Sequence, residues 1–490
     1  MFVIDSQIKK QMPIEVIQFV NQQFDSYHED FIIEKLQFDT RKLIKGDFFI
    51  ALKDQRDGHE FILDAYEKGA KGIIIELKKK EEVYDRLKNQ NLQQELWIIL
   101  TPDNLEFLKK SATIKRSNFK GKTISVLGSN GKTTTKDFLF QMLGFFNKKV
   151  YATPGNWNNH IGLPITLFNA PLDLELLILE MGMNRHKEIQ DLAKIAQPDI
   201  ALITSIGREH MEFFKDQEDV AKAELEVLEG LKENSHFYYP LNAPLKDYVQ
   251  NYCKENNLFL NFFDLKDQNL EEWIEPNIKK NIALLKKNQI FWKDFVLENP
   301  RVLHLGMLSN FFLAFLVCYH MYLQNATRQE IYEFLEYTKN ISILSKQRFE
   351  FFKFENTLII DDSYNANPDS FLMAIKSLRN LFPNEKLGCF AGYMAELGHY
   401  SKEGHKEVGK ALRENSIDLL GICGKEEVKN ILKGYQNESV PYFSNSELLA
   451  KNLRNQNLSL LMKNYKAILI KGSRSSKMEE ITKIFWNSHV

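Results

Sequence analysis

The strongest chemical signal in the chain is the run Gly128-Ser129-Asn130-Gly131-Lys132-Thr133-Thr134-Thr135. It follows the apolar stretch TISVL (123–127) and precedes Phe138, Met142 and Phe146, which recur at helical spacing. Strand, glycine turn and helix start are the context of a phosphate-binding loop. Glycines let backbone N–H groups approach an anion, the helix N-terminus adds partial positive charge, a lysine neutralises phosphate and a hydroxyl can ligate magnesium. Lys132 and Thr133 fill the last two roles, with Gly128 to Gly131 and Thr134 around the phosphates. The loop is two residues shorter than the general G-x-x-x-x-G-K-[ST] pattern.

Other polar residues stand where such a site would need them. Glu180 in LILEMGMN and His210 in GREHMEFF lie at or just past the ends of apolar runs. In an open parallel sheet ligands collect outside the carboxyl ends of strands, so both are candidate metal ligands beside the loop. Asn156, Asn158 and Asn159 cluster in TPGNWNNHIGLP (153–164). DDSYNANPDS (361–370) follows the run TLII, so Asp361, Tyr364, Asn365 and Asn367 set a carboxylate, a phenol and amides at the end of a strand. Lys471 and Arg474, after KAILI, could hold a carboxylate or phosphate.

The elements that must position these groups read as α/β. TISVL, LELLILE (174–180) and DIALITS (199–205) are continuous apolar strands separated by helical segments, which implies a parallel sheet covered on both faces. LGCFAG, DLLGICG and KAILIKGS repeat the strand-then-glycine theme toward the C-terminus, and GAKGIIIEL (69–77) reads as a turn into a buried strand. At 490 residues the chain exceeds one hydrophobic core. We expect three blocks, residues 1–118, 119–344 and 345–490. The Lys/Glu-rich run 78–90 reads as a solvated helical surface, and the stretch from about 232 to 300 carries no readable chemistry.

Composition excludes several classes. A net charge of -1 and a pI near 6.9 give no basic field for nucleic acid. Cys253, Cys318, Cys389 and Cys423 lack C-x-x-C spacing, which fits buried thiols in a reducing compartment. The N-terminus has no signal-peptide pattern, and the apolar stretch Phe311 to Leu323 is too short to cross a bilayer. A cytoplasmic protein without membrane insertion is expected.

The short loop GSNGKTTTKDF resembles that of the Mur ligases and of the related folylpolyglutamate synthases, which use ATP to join a carboxylate to an amine. Asp39-Thr40-Arg41, Gly46-Asp47-Phe48-Phe49 and Asp57-Gly58-His59-Glu60-Phe61 are similar to the Mur ligase domain that holds the uridine diphosphate end of the substrate, which the folate enzymes do not share. DDSYNANPDS resembles the motif of the family branch that adds D-alanyl-D-alanine, and Glu396-Leu397-Gly398 and Lys471-Gly472-Ser473-Arg474 with Glu479 continue the match. The resemblance implies three domains, a central P-loop ATPase-like one and a Rossmann-like C-terminal one. It further implies ATP and Mg2+, with Thr133, Glu180 and His210 on the metal and Lys132, Glu180 and His210 catalytic. UDP-N-acetylmuramoyl-tripeptide and D-alanyl-D-alanine are the implied substrates, with Asp39, Thr40 and Arg41 on the uridine diphosphate, and a monomer the implied state. The alternatives are the neighbouring ligase that adds the third amino acid and a catalytically silent homologue.

Three positions depart from the family pattern. Glu224, in VAKAELEVLEGL, stands where the family has a carbamylated lysine bridging magnesium ions; a shifted register would make Lys222 the modified residue. In the adenine-contacting segment, Gly306-Met307-Leu308-Ser309-Asn310 keeps one amide, Asn310. Tyr393 in GYMAELG replaces an acidic residue. Glu298-Asn299-Pro300-Arg301 resembles a signature of the third-residue ligase, but lies ahead of the third block and reads as coincidence.

Overall fold

The computed structural model describes residues 1–20, 23–54, 56–90, 95–267, 282–286 and 289–487. The chain forms two compact units, residues 1–125, 148–181 and 190–199 in the first and 126–147, 182–189 and 200–490 in the second.

The first unit holds a six-stranded sheet of order Gln23–Tyr27, Glu15–Val20, Leu96–Thr101, Gly72–Glu76, Phe48–Ile50, Leu36–Gln37. Pairing is antiparallel at the first two junctions and parallel from Leu96–Thr101 onward. The run GIIIE is buried at every position because both faces of its strand are covered. Ile74 and Ile99 point into a cluster with Phe107 and Leu108 of helix Asn104–Asn118 and with Ile165 and Phe168 of helix Gly162–Asn169. Ile73, Ile75, Ile98 and Leu100 point the other way, onto Ala65, Val83 and Leu87. Burying Ile165 and Phe168 contributes roughly 1.5–3 kcal/mol each. Asn169 adds two hydrogen bonds of 2.9 Å to the backbone of Leu36. The asparagine-rich loop ahead of this helix is thereby fixed to the N-terminal sheet.

The first unit also holds the parallel pair Val150–Ala152 and Leu176–Glu180, and the second holds the strand run Ile200–Ile203, His236–Pro240, Phe259–Asp267, Ile282–Lys286, Gln289–Trp292, Phe295–Glu298, each paired with the next. The expected strands TISVL, LELLILE and DIALITS are all present. The last three strands pair antiparallel at both of their junctions, an extension that the Asn-, Lys- and Phe-rich stretch did not announce. The second unit also holds a six-stranded sheet of order Glu350–Phe354, Thr357–Asp362, Ala467–Lys471, Leu387–Gly392, Ile417–Cys423, Tyr442–Phe443. It is parallel except at its first pair.

The apolar stretch near residue 311 belongs to a longer helix than expected. Leu305–Cys318 continues through a π-turn to Leu323, and these 19 residues are long and apolar enough to cross a membrane. Their apolar side chains instead fill a protein core: Leu308 and every residue from Phe311 to Cys318 are fully buried, and Phe311 meets Phe138 edge-on at 5.4 Å. All four cysteines are free and buried, as the absence of paired spacing implies.

Candidate active site

Gly128, at φ +114, ends the strand, and Gly131, at φ +91, precedes helix Lys132–Gly144. Side chains rarely adopt such φ values, and neither glycine has room for one. A Cβ on Gly128 would stand 2.5 Å from Thr204 Oγ1 and 2.8 Å from the Ser205 carbonyl, while one on Gly131 would stand 2.4 Å from the Asn310 amide. Thr204 Oγ1 donates to the carbonyls of Leu127 and Asn130 at 2.9 and 2.6 Å. The N–H groups of Ser129 and Asn130 donate to the carbonyl and hydroxyl of Ser205 at 2.8 and 3.0 Å. The loop is therefore preformed, braced by two hydroxyl residues that sequence reasoning missed although they close the DIALITS run.

Charge converges on this loop within the second unit. Lys132 Nζ bonds the carbonyls of Gly128 and Ser129 and lies 3.7 Å from Glu209. Glu224, at the end of helix Gln217–Glu224, is fully buried. Its Oε2 accepts the Gly128 N–H at 3.2 Å, and its Oε1 has no hydrogen-bond partner among the described residues. Burial, helped by Glu209, pushes this carboxyl up to about 8 against the pull of Lys132. Lys222 faces solvent from the same helix and pairs with Glu218 at 3.0 Å. His210, at φ 51, presents Nδ1 to Glu396 at 2.7 Å and Nε2 to Glu209 at 3.8 Å. Burial lowers its basicity, but the bond from Glu396 and the charge of Glu209 outweigh burial and raise it.

Among the described residues no group of three or more His, Cys, Asp and Glu side chains is arranged to hold a metal by itself. An ion held here would need a further oxygen donor, which the Thr133 hydroxyl beside the loop could supply. The donor chemistry fits a hard cation, and the buried, partnerless oxygen of Glu224 is what removal of such an ion would leave. A carboxylate on His Nδ1 likewise orients Nε2 as a ligand.

The segment DDSYNANPDS packs against the same loop. Asn367 caps helix Pro368–Leu381 through the Ser370 N–H and donates Nδ2 to Asn130 Oδ1 at 3.0 Å. The Tyr364 ring lies 4.1 Å from the Arg348 guanidinium and 5.9 Å from that of Arg474. Arg348 in turn donates to Thr133 Oγ1 at 3.2 Å, bringing to the loop a cation that nothing in RFEFF marks beforehand. Asn365 accepts the Arg474 N–H at 3.4 Å, and the exposed Arg474 side chain reaches Gln347. Lys471 is buried on Asp362 at 2.6 Å and on the Asn365 carbonyl at 3.1 Å, so its charge is neutralised internally. Burial raises the Asp361 carboxyl, which accepts the Ser363 N–H. Two departures also find places. Asn310 is the residue against Gly131, and Tyr393 stacks on His405 at 5.2 Å. Asn299 donates to the carbonyls of Thr338 and Ile341 at 2.8 and 2.9 Å, a structural staple.

In the first unit, Asp39 caps the turn Thr40–Lys42 and is held by Arg41 through two contacts of 2.8 Å, leaving the Arg41 side chain exposed and Thr40 buried. Trp157 packs on Phe38 at 5.4 Å with Lys42 4.9 Å from its ring, which sets the asparagine loop beside this turn. Asn158 Nδ2 donates to Glu180 Oε1 at 2.9 Å, Asn159 Oδ1 accepts the N–H groups of Ile161 and Gly162 at 3.2 and 2.9 Å, and Asn156 is exposed.

Comparison with known proteins decides the family. The chain is 32% identical over 472 residues to the UDP-N-acetylmuramoyl-tripeptide--D-alanyl-D-alanine ligase of Bacillus subtilis, covering 93% of this chain and 94% of that protein. The chain belongs to the Mur ligase family. Residues 126–300 match the Mur ligase middle domain and residues 347–474 the Mur ligase, glutamate ligase domain. The Rickettsia prowazekii ligase of the same name is 30% identical, over 91% of this chain and 94% of its own. The crystal structure of the MurF ligase of Thermotoga maritima in complex with ADP superposes with a TM-score of 0.71 at 26% identity, covering 93% of this chain and 97% of that one. The α/β architecture expected from the sequence is thus the Mur ligase architecture.

Proposed function

We propose that this chain is the ATP-dependent, ADP-forming ligase that joins D-alanyl-D-alanine to UDP-N-acetylmuramoyl-tripeptide in the assembly of the peptidoglycan precursor. The observation that carries the reading is the bond from Asn367 to Asn130, which seats the motif resembling the D-alanyl-D-alanine branch on the phosphate loop. The names borne by the Bacillus and Rickettsia relatives agree with it. The division into blocks 1–118, 119–344 and 345–490 belongs to this reading, with the acceptor on the first, ATP on the second and the dipeptide on the third.

The chemistry follows from position and charge. Lys132, Arg348 and the loop N–H groups neutralise the triphosphate while the tripeptide carboxylate attacks the γ-phosphorus and ADP leaves. The dipeptide amine then attacks the acyl carbon of the acyl phosphate and expels phosphate. Mg2+, the ion this reading assigns, would be held by Thr133, His210 and Glu224, with Glu180 added on resemblance alone, and when bound supplies charge to the phosphate oxygens. Asn310 and Asp361 are assigned to the nucleoside, Asp39, Thr40 and Arg41 to the uridine diphosphate, and Asn156, Asn158 and Asn159 to the acceptor. Tyr364, Asn365 and Arg474 are assigned to the dipeptide region, with Lys471 and Asn367 holding that segment in place through Asp362 and Asn130. Precursor and ATP are cytoplasmic, so the protein acts there, as a monomer.

Phosphate release by the purified chain, with ATP and the UDP-tripeptide, tests this. Release should require D-alanyl-D-alanine, and Lys132→Ala should cut it by at least about a hundredfold with the fold intact. Release driven by a single amino acid, with no response to the dipeptide, would overturn the assignment.

A further inference from the structure

Arg208 precedes Glu209 and His210 and takes no part in the chemistry described so far, yet every edge of its guanidinium is engaged. Nε and Nη2 bond Asp369 at 3.1 and 2.6 Å, and the Arg208 N–H bonds the same carboxylate at 2.6 Å. Nη1 bonds Glu407 at 2.9 Å and also the Tyr400 hydroxyl, which itself bonds Glu407. These partners lie 161 to 199 residues away in sequence. Asp369 sits in the first turn of helix Pro368–Leu381, Glu407 in helix Ser401–Glu414 and Tyr400 just ahead of it. One side chain therefore pins both helices to the turn that carries Glu209 and His210.

The docking is close as well as charged. A Cβ on Gly207 would stand 2.9 Å from Asp369 Oδ2 and 3.3 Å from Asn130 Nδ2. A second attachment lies just beyond: Gly398, at φ +47, would place a Cβ 2.6 Å from the Glu212 Cα, and Glu212 N–H bonds the Glu396 carbonyl at 3.1 Å. The Arg208, Asp369 and Glu407 side chains are 24%, 31% and 30% exposed. Partly solvated ion pairs add little stability. A planar fork gripping two carboxylates fixes direction far better than a lysine would. The arrangement therefore suits geometric control more than global stability.

We propose that Arg208 is a positioning residue for the second half-reaction, holding the segment that faces the dipeptide in register with the turn beside the phosphate loop. The inference rests on the ligase reading above. In register, the dipeptide amine forms the new C–N bond, the acyl C–O bond to phosphate breaks, phosphate departs and the amine proton passes to phosphate or solvent. Out of register, water attacks the same carbon, phosphate again departs, the proton goes to solvent and the tripeptide carboxylate is regenerated with ATP consumed.

The test is the number of amide bonds formed per ADP released, with KM measured separately for each substrate. Arg208→Ala should lower the ratio from near one to below about one half. It should also raise KM for D-alanyl-D-alanine about tenfold and leave KM for ATP within about twofold. Arg208→Lys should fall between, because it keeps the charge without the fork. Glu407→Gln and Tyr400→Phe, approaching from the partner side, should shift the ratio in the same direction and carry the test if Arg208→Ala does not fold. A ratio that stays near one while turnover falls, or equal rises in KM for ATP and dipeptide, would show a merely structural role and overturn the proposal. Wild-type protein that forms no amide bond at all would instead sink the ligase reading.

Discussion

Replacing Gly131 with alanine separates two energetic terms that the structure places at one point. The first is backbone strain. At φ +91 an L-residue carries a cost of about 1–2 kcal/mol, and no neighbouring substitution can relieve it. The second is overlap with Asn310, whose Nδ2 and Oδ1 would lie 2.4 and 2.5 Å from the new methyl. Accommodating an extra carbon in a packed site costs about 1–3 kcal/mol. Together these give a loss of about 2–5 kcal/mol in urea unfolding, a large part of the 5–15 kcal/mol typical of a folded domain. Because the clash is with a side-chain amide and not with backbone, Asn310→Ala should relieve the second term alone. The double variant should thus show a favourable coupling of about 1–3 kcal/mol, read from the unfolding midpoints of the four proteins of the cycle. Gly128→Ala is the control, since its methyl would meet the Ser205 carbonyl, and pairing it with Asn310→Ala should show no coupling. Additivity within about 0.5 kcal/mol for the Gly131 cycle would mean that Asn310 does not lie against the loop, and the geometry argued for the nucleotide site would be wrong.

Two further outcomes are expected. Arg41→Ala should raise KM for the UDP-precursor at least about tenfold with KM for ATP nearly unchanged if, as proposed, the exposed guanidinium contacts the uridine diphosphate; equal rises in initial-rate measurements would refute that role. On the proposed reading Glu224 would serve the metal as a carboxylate that needs no prior modification, so wild-type turnover should not respond to bicarbonate depletion. Glu224→Gln should demand more magnesium for half-maximal rate, and Glu224→Lys should recover activity only with bicarbonate supplied; a bicarbonate-dependent wild type with an inactive Lys222→Ala and a normal Glu224→Gln would overturn this.

Much of the architecture was legible because it rests on local pattern. Apolar runs as short as GIIIE, LELLILE and KAILI, rich in Ile and Leu and followed or preceded by turn residues, read as strands buried on both faces. The loop GSNGKT needs its glycines whatever surrounds it. The antiparallel strands Ile282–Lys286, Gln289–Trp292 and Phe295–Glu298 escaped because they are short, half-polar and set in a stretch rich in Asn and Lys. Side-chain partners escaped for a different reason. Whether Lys471 meets a ligand or Asp362, whether Asn367 reaches Asn130, and which arginine reaches Thr133 all depend on neighbours more than a hundred residues away. Only the three-dimensional arrangement decides them.

The buried helix from Leu305 to Leu323 ties biosynthesis to catalysis. As the chain is made, a segment with the hydropathy of a membrane anchor emerges well before helix Pro368–Leu381, whose Ser377 bonds its first turn at 3.0 Å. Shelter already available to it comes from the phosphate-loop helix, through Phe138 against Phe311, and from Trp292 against Phe312 and Phe315. Packing that orients the nucleotide site is thus also packing that hides a targeting hazard. Variants that loosen it face capture by bilayers or chaperones as well as loss of turnover, so substitutions at Phe138 should lower cellular abundance before they register in the kinetics of the surviving enzyme.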